Sequence, residues 1–233
     1  MRLDRYLSSV TPLTRSQAGK TIRAGRVLVN GQCVKRPACA VAESARVSLD
    51  GEVLSSPGLR YFMLHKPKGY VCSTDDPQHT SALELLHEPT TKGLHFVGRL
   101  DLDTTGLVLI TNDGAWSHRI SAPRRKAPKS YLVTLAEPLK EDAVDQLQSG
   151  VLLRNEKLPT RPTELELISP TRIRLTLTEG RYHQVKRMLA AVGNRVVELH
   201  RESVAGLTLD ADLQPGSYRS LTPAEIETAV GYR

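Results

Sequence analysis

Apolar and polar positions change rhythm several times along the chain. Thr14-x-x-Gln17 has the form of a capping box, in which a hydroxyl and an amide side chain each satisfy an open backbone N–H. It predicts a helix that starts at Thr14 and stops at Gly25. Two short alternating runs follow, "RVLVNGQCVK" (26–35) and "ARVSLDGEVL" (45–54), each broken by an Asn-Gly or Asp-Gly pair that favours a type I′ hairpin. The first sixty residues therefore read as helix, helix, hairpin, strand. "SSPGLR" (55–60) has linker composition and sets the expected boundary between a domain at 1–57 and a second at 58–233.

Beyond residue 60 the pattern is richer in strands. "YFMLHKPKGYVCS" (61–73) is β-rich with a turn at Pro67-Lys68-Gly69. "TGLVLITNDG" (105–114) is a short apolar run suited to a strand buried on both faces and closed by a turn at Asn112-Asp113-Gly114. "SYLVTLAEPL" (130–139) and "TRIRLTLTEG" (171–180) alternate with period two. "HQVKRMLAAVG" (183–193) carries a helical stripe of Val185, Met188, Leu189 and Val192. Residues 195–209 add strand, and Thr222-Pro223 opens a last helix. Strands joined mostly by loops, with a few helices, predict an α+β fold on a mixed, largely antiparallel sheet.

Charge changes this picture for the first segment. The chain carries +7, and residues 1–60 hold ten of its Lys/Arg against four Asp/Glu, so nearly all of the excess lies there. A concentrated basic block favours a polyanionic partner, because neutralising phosphates releases counterions. Arg15 in the first turn of the predicted helix opposes the helix dipole, which points to a partner rather than to helix stability. The cysteines Cys33, Cys39 and Cys72 show no C-x-x-C spacing and suit a reducing cytoplasm. The charged start MRLDRYL does not read as a secretory leader, and no apolar run approaches the roughly 18 residues of a membrane span.

MRLDRYL followed by RSQAGKTIRAGRVLVNG resembles the S4 domain, a small RNA-binding module. The resemblance implies Arg2, Arg5, Arg15, Lys20, Arg23 and Arg26 as phosphate contacts.

"GRLDLDTTGLVLITNDG" (98–114) places Asp101 and Asp103 just ahead of the buried strand. The residues alone admit four readings. Aspartates commonly hydrogen-bond turns. A metal site is weakly supported, because the seven histidines show no metal-ligand spacing. A glycosidase pair would need sugar-stacking aromatics, and aromatics make up 4% of the chain. A lone nucleophilic aspartate in an RNA enzyme is the fourth.

The block G-R-L-D-x-D-T-T-G-L-V-L-I-T-N-D-G resembles the signature of pseudouridine synthases. Lys129-Ser130-Tyr131 and "EGRYHQVKRMLAAVGN" (179–194) resemble the family's two further motifs. With the S4-like segment in front, and with "FMLHKPKGYVCSTDDP" and "GRYHQVKRM", the resemblance is to the RsuA family, which modifies small-subunit ribosomal RNA. It implies an S4-like α/β domain before an α+β catalytic domain, isomerisation of uridine 516 of 16S rRNA, no cofactor and no metal. It implies Asp101 as nucleophile, Lys186 as its cationic partner with Arg187 as runner-up, Tyr131 against the target base with Leu175 as apolar wall, and Arg99 in base flipping. Asp103 has no assigned role, and His183 reads as a polar helix-start residue rather than a general base. His65 stands where the family often has Asn. A cytoplasmic monomer is expected. The same chemistry on 23S rRNA, or a non-catalytic role in ribosome assembly, is the alternative.

Overall fold

The computed structural model describes residues 1–42, 44–55 and 58–231. The chain forms two compact units, Met1–Leu59 and Arg60–Arg233. The expected boundary after residue 57 falls beside Ser56 and Pro57, which lie outside the described residues.

The first unit runs α1 (Leu3–Val10), α2 (Arg15–Arg23), β1 (Val27–Val29), β2 (Gln32–Cys33), β3 (Val47–Leu49) and β4 (Glu52–Leu54). The capping box forms at α2: Thr14 Oγ1 accepts from the Gln17 amide at 3.2 Å, and Gln17 Oε1 accepts from the Thr14 amide at 2.8 Å. Asn30-Gly31 and Asp50-Gly51 all sit at positive φ and turn two antiparallel hairpins, in a sheet of order β2-β1-β3-β4. Leu3, Leu7, Ile22, Val27 and Val47 are fully buried between the helices and this sheet. Each such side chain contributes about 1.5–3 kcal/mol by leaving water.

The second unit runs β5 (Tyr61–Lys66), β6 (His95–Val97), β7 (Thr105–Thr111), α3 (Gly114–Ser121), β8 (Lys129–Leu135), α4 (Glu141–Ser149), β9 (Glu164–Ser169), β10 (Arg172–Leu177), α5 (Gln184–Ala191), β11 (Val196–Val204), β12 (Leu207–Thr208), β13 (Tyr218–Ser220) and α6 (Pro223–Gly231). The path of the sheet is β13-β5-β7-β11-β8-β10-β9, with β6 on β7 and β12 on β11. Among the described residues the β7–β11 pair is parallel and the other pairs are antiparallel.

β7 is buried on both faces, as its unbroken apolar run predicts. Val108 and Ile110 join one core with Phe62, Leu64, Val133 and Ile173. Leu107 and Leu109 join the other with Met63, Trp116 and Leu221. β7 also changes partner along its length. Thr105 and Gly106 pair with β11, while Leu109 to Thr111 pair with β6. A crevice opens where β6 and β11 part, and Val97 and Val204 face it from the two sides.

Two expectations need correction. Asn112-Asp113-Gly114 does not merely close a strand: Asp113 caps α3, its carboxylate accepting from the Ala115 and Trp116 amides at 2.9 and 3.1 Å. An Asp before Gly serves a turn or a helix start equally well, and only the following residues decide. Leu175, on β10 beside β8, is fully buried in the core and does not wall the crevice; Leu177 takes that place.

Candidate active site

The crevice holds about 770 Å³. Asp101 stands in the loop between β6 and β7, at a tight turn in which the Thr104 amide donates to the Asp101 carbonyl at 3.1 Å. Lys66 fixes this loop. Its side chain is fully buried, and its ammonium donates to the carbonyls of Pro67, Asp101 and Thr104 at 3.0, 3.0 and 2.7 Å. Burial lowers the Lys66 pKa, and nearby Cys72, Asp103 and Asp101 act against that shift. One cation thus gathers three backbone oxygens behind the aspartate, leaving its carboxylate free for other partners.

Those partners come from α5 and its leading turn. Lys186 Nζ lies 3.3 Å from Asp101 Oδ2 and 2.6 Å from Asp103 Oδ1. Partial burial works against the Lys186 charge, but the two carboxylates outweigh it and the pKa is raised. Asp103 accordingly sits below the ordinary carboxylate range, chiefly through its hydrogen bond from Lys186. Asp103, without a role in the sequence reading, takes the shorter of the two contacts. Arg187 turns away and binds Glu156, the Tyr182 carbonyl and the Arg154 carbonyl. The one-residue offset rotates it about 100° around the helix.

His183 occupies the helix-start position, yet its side chain caps nothing. Its backbone is left-handed, with φ of 47°. That conformation is uncommon for a residue with a Cβ and is retained where surrounding structure enforces it. The ring stacks on Tyr182 with centroids 3.8 Å apart, and Nε2 stands 3.4 Å from Asp101 Oδ1. Each Asp101 oxygen therefore faces a different basic group.

Tyr131 is nearly buried on β8 and lines the crevice, opposite Leu175 of β10 and Arg201 of β11 in the strand register. Arg99 is exposed at the rim, with no carboxylate within 4 Å among the described residues. His65 lies outside the lining and meets the Leu213 carbonyl at 2.7 Å.

Gly106 of the signature run serves packing. A Cβ there would stand 2.3 Å from the Arg201 carbonyl oxygen, and its φ is +107°. Only glycine lets β11 come this close to β7. Lys66 and Arg201 are functional candidates that sequence reasoning missed. In the sequence Lys66-Pro67 lies at the end of a β-rich run, and Arg201 lies in a segment that reads only as further strand.

In the first unit Arg2, Arg5, Arg15, Lys20, Arg23 and Arg26 are all exposed. Asp4 pairs with Arg2 at 2.6 Å and with Arg15 at 3.7 Å, which offsets the unfavourable dipole at Arg15. Arg26 pairs with Asp50. Arg5, Lys20 and Arg23 have no acidic partner within 4 Å among the described residues.

No described helix is long and apolar enough to cross a membrane. Residues 60–191 match the family described as RNA pseudouridylate synthase, and residues 1–47 match the S4 domain. The chain is 55% identical over 231 residues to ribosomal small subunit pseudouridine synthase A of Escherichia coli (strain K12), covering 99% of this chain and 100% of the relative. The enzyme of the same name from Vibrio parahaemolyticus is 48% identical over 230 residues, covering 98% of this chain and 99% of the relative. A pseudouridylate synthase crystal structure superposes with a TM-score of 0.73 at 46% identity, covering 99% of this chain and 100% of that one. On these matches the chain belongs to the RNA pseudouridylate synthases, as a member that carries an S4 domain.

Proposed function

We propose that the protein converts one uridine of 16S ribosomal RNA, that at position 516, to pseudouridine, with Asp101 as nucleophile. It acts in the cytoplasm as a monomer. The observation that carries the reading is the Asp101 carboxylate, flanked by Lys186 and His183 at a crevice that Tyr131 lines. The near full-length likeness to small-subunit enzymes supports the choice of RNA.

The reaction breaks the C1′–N1 bond of uridine and joins the uracil again through C5. Neither oxidation state nor composition changes, so the chemistry asks for a carboxylate held ionised and aimed at one nucleotide. Lys186 places a positive charge 3.3 Å from one Asp101 oxygen. A stacked base is out of reach, so it must be extruded at a cost of a few kcal/mol. Arg99 fills the vacated place, its planar guanidinium stacking on the neighbouring bases. Tyr131 lies against the extruded uracil. Arg2, Arg5, Arg15, Lys20, Arg23 and Arg26 hold RNA phosphates, with the unpaired Arg5, Lys20 and Arg23 contributing most.

The test is tritium release from rRNA labelled at uridine C5. Release from 16S rRNA, mapped to position 516 and abolished by Asp101→Asn, is the expected result. Release from 23S rRNA alone would overturn the small-subunit assignment. Full activity in Asp101→Asn would remove the nucleophile.

A further inference from the structure

Among the described residues four buried side-chain atoms lack a hydrogen-bond partner: Arg60 Nε, Thr104 Oγ1, Arg161 Nη1 and Arg201 Nη2. Three of them, all but Arg60 Nε, belong to residues lining the Asp101 crevice. Buried polar atoms are nearly always satisfied, so a cluster of orphans in one cavity calls for partners from outside the chain.

Arg201 is the most exacting of the three. Its side chain is 1% exposed. Nε donates to the Leu107 carbonyl at 2.8 Å, and no carboxylate lies within 4 Å among the described residues. The lining around it carries both the cation Lys129 and, beyond ion-pair distance of Arg201, the carboxylate Glu179. Lys129 has its pKa pushed down to about 8 by burial and then by the Arg201 charge, with Glu179 acting against the shift. Arg201 likewise works against the charge on Lys66. A dry guanidinium without a counter-charge is expensive to fold around. The register sets it beside Tyr131 on one strand and Gly106 on the other.

We infer that Arg201, with Thr104, forms an anion-holding subsite for the uracil ring during the reaction. The inference rests on the proposed function and deepens it. On the inferred route Asp101 bonds to C1′ as the C1′–N1 bond breaks, and the bonding electron pair leaves with the ring. The detached uracil is then a monoanion whose charge spreads over N1, O2 and O4. Arg201 Nη2 and the Thr104 hydroxyl donate to a ring oxygen. When the ring turns about its N3–C6 axis, O2 and O4 exchange places, so the same donors serve before and after. C5 then bonds to C1′ and displaces the Asp101 carboxylate; the C5 proton departs to solvent and N1 takes one up. Stabilising charge that appears only after bond cleavage raises kcat rather than affinity for RNA.

The test uses the full chain and two ring probes, uracil and 5-nitrouracil, whose ring nitrogen ionises near neutral pH. Wild type should bind the 5-nitrouracil anion at least tenfold more tightly than uracil, and Arg201→Gln should erase that preference. On 16S rRNA, Arg201→Gln should lower kcat by about 10²–10³-fold with KM within threefold, and Arg201→Lys should recover part of the loss. Equal wild-type affinity for the two probes overturns the subsite, and this measurement stands even if Arg201→Gln does not fold. So does an Arg201→Gln variant that weakens inorganic phosphate but leaves the ring anion untouched, because the floor would then be a phosphate site. Asp101→Asn, run alongside, separates the two ideas. A dead Asp101→Asn with a fully active Arg201→Gln removes the subsite and keeps the nucleophile, whereas an active Asp101→Asn removes the nucleophile.

Discussion

The mouth and the floor of the crevice are built on opposite principles. At the mouth polar partners meet: Asp101 lies between the His183 ring and the Lys186 ammonium, and Lys186 also takes Asp103. Deeper in the lining Arg201 keeps a buried polar atom with no hydrogen-bond partner among the described residues, as do Thr104 and Arg161. The mouth is preorganised before substrate arrives, its carboxylate already held between two partners. On the proposed reading, the uracil anion supplies the partner that the Arg201 guanidinium lacks. The difference teaches where the chain has invested stability and where it has withheld it. A protein that only needed to be stable would have paired or replaced a lone buried guanidinium.

Substitutions break this contrast from either end. The largest effect is expected at the mouth: Asp101→Asn should lower single-turnover tritium release by a factor on the order of 10³ or more, since a nucleophile has no substitute. The same variant should still bind the 5-nitrouracil anion, because its floor is intact; loss of both would mean that mouth and floor are one unit. Lys66→Met comes next. Without the ammonium the Pro67, Asp101 and Thr104 carbonyls lose their common donor, and a loop displaced by about 1 Å costs on the order of 10²-fold in rate. Single-turnover kinetics on 16S rRNA would expose a mistake here if the rate stayed at the wild-type value.

Gly106→Ala attacks the seam between the two regions. Its Cβ would meet the Arg201 backbone at 2.3 Å in a conformation that disfavours any side chain. A loss of about 2–3 kcal/mol is expected in urea unfolding, from overpacking and backbone strain together. The smallest effect is the pH response of the floor. The folded Lys129 pKa, about 8, lies below its unfolded value of 10.5. In that window the unfolded chain binds more protons, so this group makes stability rise with pH from about 8 towards 10.5. Wild type should therefore gain in Tm relative to Lys129→Met across that range. A constant difference would place Lys129 in a wetter setting.

Much of this arrangement is legible in the chain, and the exceptions share a cause. The capping box at Thr14 and Gln17, the two hairpins, the doubly buried β7 and the apolar stripe of α5 each depend on neighbours within a few residues, which local pattern records. Asp101 and Lys186 are 85 residues apart, yet recognisable motifs brought both forward. Lys66 and Arg201 belong to no such local rule. Their surroundings arise from β5 and β11 flanking β7, and a strand's burial at one lysine or arginine is invisible until its neighbours are known. Asp113 shows the reverse difficulty: its local signal was clear but served two structures equally.

The missing side chain at Gly106 has a wider consequence. With β7 and β11 touching backbone to backbone at that point, nothing compressible separates the aspartate loop from the arginine strand. The pair acts like a caliper locked at its tightest setting. Efforts to widen the cleft for a bulkier base must therefore lengthen the loop ahead of Gly106 or trim residues on the far wall, because this spacing has no slack to give.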